Sequence, residues 1–197
     1  MSISKDRIKA IEKTKEYLTK GYKTTKFSVF KYEAESGDYA IPALIELRDA
    51  FDHVNELLTN DEFERQPENI YEHVRRAGVE SLELLAESKM KDIRQRIEKN
   101  LFLKNLIIFD KRKLIVYKKR FKSLQGLLIK LRENKTSKDW EKSIEIANEI
   151  VTRCESLDKE LPSLNEIKWK KGLFYGGVVG TIIAIIGIVL TIVSMIE

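Results

Sequence analysis

The sequence predicts an all-α protein: a helical bundle of about five helices followed by one C-terminal transmembrane helix. Three observations predict it. Charged residues make up 34% of the chain while Gly and Pro are scarce, a composition that favours helices over a turn-punctuated β fold. Apolar residues recur at three- and four-residue spacing through most of the chain. One stretch, Gly172 to Ile196, carries no charged residue at all.

The elements follow in order. A first amphipathic helix reads from about Ser4 to Thr19, with Ile8, Ile11, Tyr17 and Leu18 among its apolar positions. Between Gly21 and Gly37 the pattern loosens, and a short extended piece or a loop packed on the bundle is expected. A second helix starts near Asp38, a plausible N-cap, with Pro42 tolerated in its first turn. Its expected core stripe is Leu44, Leu47, Phe51, Val54 and Leu58. A long helix begins near Pro67, and the stretch from Leu101 to Asn134 repeats helically after it. A turn at Ser137-x-x-Trp140 opens the last helix of the bundle, in which Ile144, Ala147, Ile150 and Val151 repeat until Pro162 ends it.

The uncharged stretch sets the domain organisation. As a helix it rises about 37 Å, enough to cross a hydrocarbon core of about 30 Å. Lys168, Lys170 and Lys171 precede it and Glu197 follows, so the positive-inside rule places the preceding chain on the cytoplasmic side. Trp169, Phe174 and Tyr175 fall where an interfacial aromatic belt belongs. The expectation is a single-pass tail anchor: a cytoplasmic domain at 1–165, a basic juxtamembrane segment at 166–171 and a transmembrane helix at 172–196. Membrane lipid is thus the first expected partner. Gly172, Gly176, Gly180 and Ala184 recur every four residues, a ridge of small residues through which such helices pack closely in lipid. That ridge predicts a homo-oligomer.

Several kinds of chemistry lack material. Cys154 is the single cysteine, so no intrachain disulfide forms, and a lone thiol on an apolar face reads as a small buried hydrophobe. There is no Gly-rich phosphate loop, and His53 and His73 are the only histidines, so no cofactor and no metal site are expected. The constellation that remains is Arg48-Asp49-Ala50-Phe51-Asp52-His53.

Arg, four residues, then His, with a polar residue directly after the Arg, resembles the R-x4–6-H signature of the HEPN superfamily of small helical bundles. The segment Tyr71-Glu72-His73-Val74-Arg75-Arg76-Ala77 is similar to helices that follow this motif in small bacterial members. The resemblance covers residues 38 to 95 and not the anchor. It implies a metal-independent ribonuclease acting as a dimer, with Arg48 stabilising charge on the phosphorus, His53 moving a proton and Asp49 orienting it. From the residues alone, Arg48 and His53 lie about 140° apart on a straight helix, so a shared site needs a bend or a second copy. Asp49 with His53, and Arg48 with Asp52, read equally well as surface pairs.

A basic stretch, with Lys111, Arg112, Lys113, Lys118, Lys119, Arg120 and Lys122, suits a polyanion, either RNA or anionic lipid. Phe109, Tyr117 and Phe121 interleave with it as bases' stacking partners or as core. His73, Arg75 and Arg76 read as a nucleic-acid contact or as a solvated face. Two functions follow as expectations. One is a membrane-permeabilising, oligomeric effector of bacterial antiviral defence, at the inner membrane, with a defence-system protein as a further partner. The other is a membrane-tethered ribonuclease, with a non-enzymatic membrane scaffold as the third possibility.

Overall fold

The computed structural model describes residues 4–104 and 111–196. Among the described residues six helices follow one another: α1 (Lys5–Ser36), α2 (Ile41–Thr59), α3 (Gln66–Lys104), α4 (Lys111–Thr136), α5 (Trp140–Glu160) and α6 (Leu164–Ile196). The described residues contain no strand, and the all-α expectation holds.

Helix α1 is far longer than its apolar pattern suggested. The Ser4 hydroxyl accepts from Arg7 N–H at 3.2 Å and caps its start. Gly37, at φ 74°, closes its end with an N–H bond to Glu33 O. The segment expected as a loop or extended piece, 21–37, is therefore helical almost throughout. The reason lies in side-chain size. Thr14, Thr25 and Ser28 are buried, yet their hydroxyls make them look like surface residues in a hydropathy pattern. Each hydroxyl is satisfied: Thr14 and Ser28 donate to carbonyls one turn back, and Thr25 donates across to Val74 O at 2.7 Å.

Helix α2 begins at Ile41, with Pro42 in its first turn, and its N-cap is Ala40 rather than Asp38. Asp38 instead donates its backbone N–H to the Ser36 hydroxyl. The expected core stripe is also corrected. The buried residues of α2 are Ala43, Ala50 and Leu57, whereas Phe51 is 72% exposed and Leu44 and Leu58 also face out. Small alanines let α2 lie close, and the larger side chains Leu47, Phe51, Val54 and Leu58 line an open apolar cleft with Ile11, Leu18 and Tyr22 of α1.

The chain divides into two compact units, residues 1–91 with 122–155, and residues 92–121 with 156–197. In the first, α3 is the helix to which the others are tied. Tyr17 stacks on Tyr71 with ring centroids 4.5 Å apart, Lys13 pairs with Glu68 and Lys89 with Glu35, so α1 and α3 run parallel. Glu46 meets His73 and His53 meets Gln66, so α2 runs antiparallel to α3. Arg132 and Lys135 of α4 reach Glu83, again antiparallel, and Lys138 and Glu141 meet Glu72 and Arg75 near the start of α5. Ile70, Val74, Ala77, Leu85, Leu124, Leu131 and Ile150 are buried between these helices. Asp139 caps α5 by accepting from Lys142 N–H at 3.1 Å, and the Ser137 hydroxyl turns back to Asn134 O.

In the second unit the end of α3 packs with the start of α4, the end of α5 and α6. Ile93, Ile97, Leu114, Leu157, Leu161 and Ile167 are buried there. Arg96 pairs with Asp158 and with Asp92. Ser163 caps α6 by accepting from Glu166 N–H, so the basic segment 166–171 forms the first turns of the same helix as the apolar stretch.

Candidate functional site

The polar residues of α2 and α3 converge on one cluster. Glu46, Asp49 and His53 are spaced three and four apart, which puts them within an arc of about 60° on α2. That stripe faces His73 and Arg76, one turn apart on α3. His73 Nδ1 lies 2.8 Å from Glu46 Oε2, and Arg76 Nε lies 3.3 Å from Glu46 Oε1, so the carboxylate is gripped on both oxygens. Its side chain is only 13% exposed.

The two histidines of the chain meet here. Their ring centroids are 5.1 Å apart with the planes tilted by 31°. His53 Nδ1 faces Gln66 Oε1 at 2.8 Å and Glu56 Oε2 at 3.2 Å. Both are acceptors, so Nδ1 carries a proton. Asn69 Nδ2 also donates to Gln66 Oε1, which fixes that amide with its oxygen toward the ring.

Arg48 lies on the rim. Its side chain is 69% exposed, and Nε and Nη2 both donate to Asp49 Oδ1, at 3.1 and 2.8 Å. The hydrogen bond from Arg48, with help from His73 and His53, holds the Asp49 carboxyl below its ordinary value, and the same bond raises Arg48. Arg48 thus pairs with Asp49 and not with Asp52. Helix α2 runs unbroken through the motif, leaving Arg48 at the surface and His53 turned toward α3. The periodicity of α2 carried the signal for Glu46 as a member of this stripe. Nothing in the sequence marks His73 as its partner. At 73–76, where a nucleic-acid contact or a solvated face is expected, His73 and Arg76 hold Glu46 and Arg75 pairs with Glu141.

The basic stretch is partly committed within the fold. Arg120 donates to both oxygens of Glu160 at 2.7 Å and to the Ser156 hydroxyl. Tyr117 is buried and its hydroxyl donates to Glu160 O, so it is a core residue and not a stacking platform. Arg112, Lys113, Lys118, Lys119 and Lys122 are exposed. Phe109 and the side chain of Lys111 lie outside the described residues. Cys154 is buried, and burial pushes its thiol up to about 12, well away from reactive thiolate chemistry.

Helix α6 presents a different surface. Among the described residues one helix is long and apolar enough to cross a membrane by length and composition, and none of its apolar window is buried. Added side-chain atoms at Gly172, Gly176 or Gly180 would meet nothing within 4 Å, and Ala184 is exposed, so the small-residue ridge is open along the helix. The Thr181 hydroxyl is satisfied by Gly177 O at 2.9 Å, which removes a polar cost on this face.

No protein-family model matches the chain, and no curated protein or solved structure matches it.

Proposed function

We propose that this chain is a single-pass membrane protein whose apolar helix assembles copies into an oligomer that permeabilises the membrane. The observation that carries the reading is the open ridge of Gly172, Gly176, Gly180 and Ala184 on a helix with an unburied apolar window. In water such a helix exposes Val179, Ile182, Ile183, Ile185 and Ile186 at a large hydrophobic cost. In lipid those residues are at home, and the ridge permits backbone-to-backbone packing. Lys168, Lys170 and Lys171 precede the apolar stretch, which favours a cytoplasmic position for α1–α5. The setting implied by the HEPN resemblance is bacterial antiviral defence. No Asp, Glu, Lys, Arg or His lies between Gly172 and Ile196, so conduction through such an assembly would pass small, Thr and Ser side chains.

The test is the mass of the detergent-solubilised protein by light scattering, beside membrane potential in cells expressing it. A discrete oligomer and depolarisation are expected, both lost when Gly176→Leu and Gly180→Leu are combined. If the double variant assembles and depolarises like the parent, the ridge is not the assembly surface and the reading fails. RNA cleavage that disappears in His53→Ala would favour the ribonuclease instead.

A further inference from the structure

We propose that Glu46, Asp49 and His73 bind one divalent transition-metal ion of the zinc class in the polar cluster between α2 and α3. This stands independently of the membrane reading, because it rests on a different part of the chain.

One ligand atom from each of the three residues lies within 4.8 Å of the other two. His73 Nδ1 and Glu46 Oε2 are 2.8 Å apart, and a tetrahedral ion bound at about 2.1 Å holds its ligands about 3.4 Å apart, so this pair opens by about half an ångström to seat it. The ion takes the place of the proton shared between those atoms, which leaves to solvent, and the ring bound through Nδ1 carries its remaining proton on Nε2. Asp49 completes the set by a side-chain rotation. Both Arg48 bonds fall on Asp49 Oδ1, and Arg76 uses Glu46 Oε1, so each carboxylate keeps one oxygen outside its arginine contact.

The surroundings supply what a ligand shell needs. Arg76 orients Glu46, Arg48 orients Asp49, and His53, fixed by Gln66 and Glu56, supports the His73 ring. The carboxylates of Glu46, Asp49 and Glu56 outnumber the guanidiniums of Arg48 and Arg76, which leaves the cluster favourable to a cation. A mixed imidazole and carboxylate set suits zinc, manganese or iron(II). Calcium and magnesium prefer oxygen alone, and copper(I) prefers sulfur. Three protein ligands leave a coordination position to water, the pattern of catalytic rather than structural zinc sites.

The experiment uses the full chain in detergent, stripped with chelator and dialysed. It is titrated with zinc chloride by calorimetry and with cobalt(II) chloride by visible absorption. About one ion per chain is expected, with cobalt ligand-field bands. Asp49→Asn and His73→Ala should each weaken zinc by more than the roughly 10–100-fold that loss of an outer contact costs, and Arg48→Ala by no more than that. Asp49→Asn is the decisive variant, because it keeps the shape of a partly exposed side chain and its helical circular dichroism should match the parent. No zinc heat in the parent, or unchanged affinity in Asp49→Asn, overturns the site.

Discussion

Gly78 and Thr25 show how one residue sets the spacing of two helices. A Cβ at Gly78 would stand 2.9 Å from Thr25 Oγ1 and 3.4 Å from its Cα, where the hydroxyl already donates to Val74 O. Gly78→Ala therefore forces Thr25 aside, and strain of about 1–3 kcal/mol outweighs the helix propensity gained, about 1 kcal/mol. Gly126 of α4 has open space around it, so Gly126→Ala gains propensity without strain. Urea denaturation should show a lower midpoint for the first and an equal or higher midpoint for the second. A Gly78→Ala protein as stable as the parent would mean that α1 and α3 do not approach this closely. The sequence identifies both glycines as exceptions within helices. Only the packing separates the one that must stay small from the one that need not.

At the scale of elements, α3 and α4 are joined by a carboxylate between two cations. Burial pushes the Glu83 carboxyl up, but hydrogen bonds from Lys135 and Arg132 outweigh it and leave it below its ordinary value. A folded-state value below the unfolded one stabilises the protein at pH above the unfolded value, about 4.3 for Glu. That contribution is lost as the pH falls through the folded value. Denaturation midpoints should decline on acidification from neutral pH, and Glu83→Gln should show a shallower acid decline from a lower starting stability. An identical acid limb in the variant would remove Glu83 as a contributor. This pairing was hidden in the sequence, where nothing sets Arg132 and Lys135 against Glu83. The length of α1 was hidden for the opposite reason: its buried face carries small hydroxyls, and periodicity arguments count such residues as polar. Helices α3 and α5 were legible because Ile, Leu, Val and Ala occupy their buried faces.

For the whole molecule, where α6 resides turns on hydrophobic free energy. Ile183 is exposed near the middle of the apolar stretch. A lysine there costs about 3 kcal/mol of insertion at a span's centre, about a hundredfold in partitioning. Ile183→Lys should shift the protein out of the carbonate-resistant membrane fraction, while Lys113→Ala should leave its partitioning unchanged. If Ile183→Lys fractionates like the parent, α6 does not insert as a spanning helix.

The sequence by itself determined the helical class, the approximate starts of α3 and α5, the uncharged character of α6 and its small-residue ridge. Each of these is a local property, carried by composition or by a period of a few residues. Tertiary structure alone decided that the stripe Glu46, Asp49 and His53 faces His73, that Arg120 and Tyr117 belong to the fold, and that Phe51 lies outside the core. Those outcomes depend on which helices lie side by side and in what direction. Residues far apart in the chain become neighbours only when helices pack, and a single sequence carries no periodic signal for that pairing.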